Sequence, residues 1–136
     1  MSQNIELVCT AVVNILKTIT ALKQVPIDPP DTVNVDTFAV VYAGSGTITN
    51  GVVGTKKSLH NIVVDVLTKR TDLARDMARV KPFVDTVKTA LLADPTITGT
   101  AQTFDSISYE LINTDYASVP VIGYKFTMNN VKILAD

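Results

Sequence analysis

The sequence predicts an α+β fold. It is expected to form a single domain, with two helical regions on one face of a mostly antiparallel, four- or five-stranded sheet and a β-hairpin arm projecting from it. Three observations lead there. Two stretches carry apolar residues at alternating three- and four-residue steps, the stripe of a half-buried helix. Five others are rich in β-formers or alternate between apolar and polar positions. Their order, α-β-β-β-α-β-β, suits antiparallel meanders with both helices on the same face. At 136 residues the chain suits one domain that buries roughly two-thirds of its unfolded surface.

Ile5, Val8, Val12, Ile15, Ile19 and Leu22 mark the first helix, and Val13 and Leu16 widen its apolar face. Glu6 near its start and Lys17 and Lys23 near its end match the helix dipole. Pro26, Pro29 and Pro30 stop it and impose an extended connector through about residue 37. Phe38 to Ala43 reads as a strand, with Thr47 to Val53 as its hairpin partner across Gly44-Ser45-Gly46. Between Gly44 and Ser58 only Ile48, Val52 and Val53 are apolar, too few to anchor the stretch in a core. Residues 44–57 are therefore expected to project as a mobile arm.

Ser58 to Thr68 follows as a strand, with His60, Ile62, Val64 and Val66 on one face and Leu59, Val63, Asp65 and Leu67 on the other. Both faces are substantially apolar, so this strand is covered on both sides by its own domain or by a neighbour. From about Thr71 to Ala93, Leu73, Met77, Val80, Val84, Val87 and Leu91 again step by four and three. The stripe passes Pro82 in phase, which favours a kinked helix over a restart with Pro82 in its first turn. Two strands, near Ala101 to Asn113 and Val119 to Leu134, complete the chain. In the last, Ile122, Tyr124, Phe126 and Met128 alternate with Gly123, Lys125 and Thr127. Helices on one face leave the other face and the edges partly covered, and exposed apolar sheet surface implies a partner.

Composition narrows the chemistry. With 46% hydrophobic and 18% charged residues, the chain buries enough to exclude disorder as a global description. Twelve Lys and Arg against thirteen Asp and Glu give a net charge of −1, without the excess of a nucleic-acid binder. One cysteine cannot form an intrachain disulfide, and one histidine with one cysteine cannot supply a conventional zinc site. No cofactor or metal is expected, and enzymatic chemistry is disfavoured. The first basic residue is Lys17, so no secretory n-region precedes the first apolar stretch, and no apolar run approaches a membrane span. The expected setting is a reducing cytoplasm, in which Cys9 behaves as a small buried hydrophobe.

Candidate sites are few. Gly44-x-Gly46 lacks the third glycine and following helix of a dinucleotide fingerprint, and Gly54-Thr55-Lys56-Lys57-Ser58 lacks the ending of a phosphate loop. His60 and Asp65 lie five residues apart in one strand and point to opposite faces, so they make no acid–base pair. Charge is more informative. Between Lys56 and Lys88 stand eight basic residues (56, 57, 69, 70, 75, 79, 81, 88) and four acidic ones (65, 72, 76, 85). The remainder holds four basic and nine acidic residues. The bland reading is a solvated helix face; the sharper one is a dipolar subunit that meets copies or partners through opposite charges. The expected interface is Thr47, Ile48, Thr49, Asn50, Val52, Val53, Lys56 and Lys57 of the arm, together with Lys69, Arg70, Arg75 and Arg79.

Three segments carry a resemblance. These are His60-Asn-Ile-Val-Val-Asp-Val-Leu-Thr-Lys-Arg70, then Val80-Lys-Pro-Phe-Val-Asp-Thr-Val-Lys-Thr-Ala-Leu-Leu-Ala-Asp-Pro-Thr-Ile-Thr-Gly99, and Val121-Ile-Gly-Tyr-Lys-Phe-Thr-Met128. Together they resemble the tail terminator and tail-completion proteins of tailed bacteriophages. The shared pattern is a strand after a glycine-rich arm, a long helix ending near an Asp-Pro turn and Gly, and a closing strand with alternating aromatics. It covers about residues 38 to 134. The resemblance implies a structural protein of the virion neck, assembled in the host cytoplasm. Such proteins form a homo-oligomeric ring, typically a hexamer, that caps the tail tube, stops its polymerisation and meets the head-side connector protein. Genome DNA would pass through the lumen without specific binding. A head-completion or connector protein (stopper or adaptor) of the same neck is the runner-up, and a small cytosolic enzyme the alternative from another class.

Overall fold

The computed structural model describes residues 4–19, 37–50, 56–93, 97, 101–116 and 118–133. The elements run α1 (Asn4–Leu16), β1 (Thr37–Asn50), β2 (Lys56–Lys69), α2 (Leu73–Val80), α3 (Pro82–Leu92), β3 (Ala101–Thr103), β4 (Ser106–Tyr116) and β5 (Val119–Ile133). One five-stranded sheet holds all the strands, in the spatial order β1, β2, β5, with β3 and β4 both on the far side of β5. Every pairing is antiparallel. β3 meets the end of β5 at Lys132 and Ile133, whereas β4 pairs with Val119 to Asn129, so the two form one interrupted edge. This is the predicted α+β fold.

The helices share one face of the sheet. Val8, Val12 and Leu16 of α1 and Phe83, Val87 and Leu91 of α3 pack with Ala39, Val41, Ile62, Val64, Val66, Phe126 and Met128. The opposite face has a smaller cluster of Phe38, Val40, Leu67 and Val121, each fully buried. The alternation read in β2 is thus real on both faces, since Ile62, Val64 and Val66 enter one cluster and Leu67 the other. Burying side chains on both faces is what a strand in the middle of such a layer requires.

Three boundaries differ from the sequence reading, besides the division of the strand expected near Ala101 to Asn113 into β3 and β4. Helix α1 ends at Leu16, where the Ile15 carbonyl accepts from both the backbone N–H (3.2 Å) and the hydroxyl (2.7 Å) of Thr18. Ile19 still packs into the core, while Leu22, Lys23 and the proline connector lie outside the described residues. The second helical region divides into α2 and α3 at Lys81, with Pro82 as the first residue of α3. Proline is favoured there because its missing N–H falls where a helix has no acceptor for it. Lys81 keeps helical dihedrals (φ −52, ψ −43) and donates to Met77 O at 3.0 Å, so the division is a restart without a loop.

The third difference concerns the hairpin. Gly44-Ser45-Gly46 does not turn. It lies inside β1, which continues in register with β2 as far as Asn50 opposite Lys56, past an irregularity between Ala43 and Ser45. The glycines serve close approach. A Cβ at Gly44 would stand 2.6 Å from Val63 Cγ2, and one at Gly46 would stand 2.8 Å from Leu59 O. The link closing the hairpin is therefore residues 51–55, outside the described residues.

Candidate subunit interface

The residues singled out for acid–base or metal chemistry are dispersed. Cys9 is buried in α1 against the main core. His60 is half-buried in β2, between Gly46 of β1 and Val131 of β5. Asp65, on the face opposite the helices, accepts a hydrogen bond from the Tyr42 hydroxyl at 3.1 Å. Among the described residues, no group of three or more His, Cys, Asp or Glu could hold a metal ion. No helix among them is long and apolar enough to cross a membrane.

The expected interface residues fall into two groups at opposite ends of the 14-residue β2, roughly 40 Å apart at about 3.3 Å per residue. At one end is the arm. Pairing between β2 and β5 begins at Leu59 opposite Lys132, so the rungs Ile48–Ser58, Thr49–Lys57 and Asn50–Lys56 extend beyond it. Ala43 to Thr47 are exposed, in contrast with the buried Phe38 to Val41 of the same strand. Val52 and Val53 lie outside the described residues.

At the other end, Lys69 and Arg70 close β2 and lie near Arg75 and Arg79 of α2. Arg70 donates to Asn113 Oδ1 at 3.1 Å, Arg75 to Thr71 Oγ1 at 3.1 Å and Arg79 to Thr68 Oγ1 at 3.4 Å. Each guanidinium donates to a neutral oxygen, and Arg75 and Arg79 also lie close enough to the Asp76 carboxylate to stabilise its charge. The one buried carboxylate here is Asp76, whose Oδ2 accepts from the backbone N–H of Thr71 at 2.7 Å and of Asp72 at 3.0 Å. Burial pushes the Asp76 carboxyl up, but those two N–H donors, with Arg75 and Arg79 nearby, outweigh it and hold its pKa below the usual 3.8. Asp76 thus ties the turn after β2 to the start of α2.

A third surface lies on β4, among residues the sequence does not single out. Tyr109 and Leu111 are 58% and 50% exposed. They are two residues apart and so share a face of the strand. The Tyr109 ring meets Tyr124 edge-on at 5.8 Å and Phe126 at 6.1 Å, on the face that carries the helices. The helices lie chiefly over β1, β2 and β5, so β4 extends beyond their cover. The alternation of Ile107, Tyr109 and Leu111 with Ser108 and Glu110 was the available signal. It identifies a strand with an apolar face but not its place at the edge.

No protein-family model matches the chain, and no curated protein does. Among solved structures, a chain of the virion of a native gene transfer agent particle is similar. The TM-score is 0.45 and the identity 16%, over 96% of this chain and 99% of that one.

Proposed function

We propose that the chain is a structural protein of a tailed-phage neck: a tail terminator whose copies close into a ring, probed first as a hexamer. The ring caps the tail tube, stops its growth and presents a surface to the head-side connector. The observation that carries this reading is the β1–β2 ladder, which continues past the last rung that β5 supports. Hydrogen-bonded backbone with no third strand beside it among the described residues gains most where a neighbour supplies further contacts. The resemblance of residues 38–134 to terminators supports the same reading. The basic end suits an acidic partner surface, and genome DNA would meet the lumen only through weak, non-specific contact.

The test has two parts. Native mass should report a closed cyclic species, alone or on tubes. Added to polymerising tail-tube protein, the chain should shorten the tubes and decorate one end in electron micrographs. Binding to the head-side connector with no effect on tubes would instead assign it to the connector side of the neck. A monomer that binds neither would end the neck reading.

A further inference from the structure

We propose that the sheet carries a transverse hinge line latched by the Asn61 side chain, so that the arm end of β1 and β2 pivots as a unit on a fixed core. The inference does not depend on the neck reading.

Three irregularities fall on one line. In the β1–β2 ladder Ala43 pairs with Ile62 and Ser45 with Asn61, which leaves Gly44 as an extra residue in β1. In the β2–β5 ladder His60 pairs with Val131 and Ile62 with Met128, so Asn129 and Asn130 together stand across from Asn61. At the far edge Thr103 of β3 pairs with Lys132 and Ser106 of β4 with Asn129, and the edge is interrupted between them at Phe104 and Asp105. An extra residue bends its strand and increases the local twist. Here the strands on both sides of β2 each carry one, and both sit at Asn61. Asn130 takes the left-handed backbone (φ 56) that asparagine tolerates and that a bulge of this kind uses.

A row of polar bonds follows the same line. The Asn130 N–H donates to Asn61 Oδ1 at 3.1 Å, and Asn61 Nδ2 donates to Ser45 Oγ at 2.8 Å. One carboxamide thus fastens both bulges. Asn130 Nδ2 donates onward to Asp105 Oδ2 at 2.8 Å, and the Asp105 N–H donates to Asn129 O at 2.9 Å. Packing changes across the row. On its core side Val41, Ile62 and Met128 are buried. On its arm side Gly46, Thr47 and Leu59 are exposed and His60 is half-buried; among the described residues there, Val131 is the buried one, and it belongs to the main core. The β1–β2 end is therefore held by its own ladder and by this row. A segment with few buried contacts and a local set of hydrogen bonds opens separately from the core.

Amide hydrogen exchange of the full chain tests the latch at four residues of inner strands. In the wild type Leu59 and His60 should exchange ahead of Val64 and Phe126. Asn61→Ala should speed Leu59 and His60 about tenfold and change Val64 and Phe126 by less than about twofold. Ser45→Ala, at an exposed position, guards against misfolding and should give a smaller rise at the same two amides. Spin labels at Thr47→Cys and Lys88→Cys, in a Cys9→Ala background, read the pivot directly. Their distance distribution should broaden when Asn61→Ala is added. If all four amides exchange together in the wild type, or accelerate equally in Asn61→Ala, the sheet is one unit and the hinge is overturned. If Leu59 and His60 keep their rates in both variants, or the distance distribution stays unchanged, Asn61 latches nothing and the proposal fails.

Discussion

The two outer strands of the sheet differ sharply. Phe38 to Val41 of β1 send alternate side chains into two separate clusters and expose none of them. Ile107, Tyr109 and Leu111 of β4 alternate just as regularly, yet Tyr109 and Leu111 remain at least half exposed. Both strands have an apolar face, and among the described strands each pairs with one neighbour. On the helix face, where Ala39 and Val41 contrast with Tyr109 and Leu111, what separates them is the layer above. Helix α1 lies against β1, and the main helix contacts stop at β5. Whether an apolar alternation becomes core or interface is therefore decided by the elements that cross it, which no strand encodes by itself.

The largest effect that sharpens this contrast comes from one rung. Phe126 is 1% exposed and stands directly opposite Tyr109. Phe126→Ala should cost about 3–5 kcal/mol, because it leaves a cavity between the sheet and the helices. Urea unfolding of the isolated subunit measures it. A cost near zero would mean that the helix layer does not seal β5, and the division between covered and open strands would fail.

Next comes the carboxylate that holds the covered side together at the basic end. Asp76→Ala removes the acceptor of two backbone N–H groups and should cost about 2 kcal/mol. Its pH dependence has a definite sign. The folded pKa of Asp76 lies below 3.8, so its contribution is fully present above that value and is lost as pH falls through the lower folded one. Acid titration of stability should therefore be flatter below pH 3.8 in Asp76→Asn than in the wild type. A steeper acid limb in the variant would show that the carboxylate is not held in its charged form.

Smaller still, for the subunit, is the exposed member of the rung. Tyr109→Ala should change unfolding stability by no more than about 1 kcal/mol, as removal of an exposed side chain usually does. Its consequence should be read in assembly. If the variant instead loses as much stability as Phe126→Ala, Tyr109 is core and the two edges are alike.

Much of this architecture was legible because it is local. Most positions of the 3-4 stripes of α1 and of residues 73–91, of the two-faced β2 and of the alternation of β5 are buried or half-buried, with Leu73 and Leu59 exposed at the start of α2 and near the arm. The hairpin turn was misplaced because glycine has two uses. Gly44 and Gly46 resemble turn residues in sequence, but their missing side chains admit Val63 and the Leu59 backbone between paired strands. That contact joins residues far apart in the chain, beyond the reach of periodicity. The placement of the candidate interface residues was partly legible for the same reason. Charge grouped Arg70, Arg75 and Arg79, and the structure places the three at one end of β2. Charge could not show that the arm lies at the other, nor that Tyr109 and Leu111 stand on an outer strand.

The smallest expected effect is at His60, which lies on the covered side of that contrast near the foot of the arm. Its neighbours on the adjoining strands are Gly46 and Val131, and the only nearby carboxylate in sequence, Asp65, is engaged by Tyr42 on the opposite face. A general base needs its partner within hydrogen-bond reach, and strand geometry denies His60 that partner. Gln preserves much of its volume and a hydrogen-bonding head. His60→Gln should therefore leave stability within about 0.5 kcal/mol, assembly unchanged and virions carrying it infectious. Loss of infectivity from a variant that folds and assembles normally would be unexplained by any packing or assembly argument. It would mean that His60 does chemistry and that the structural reading of this chain is incomplete.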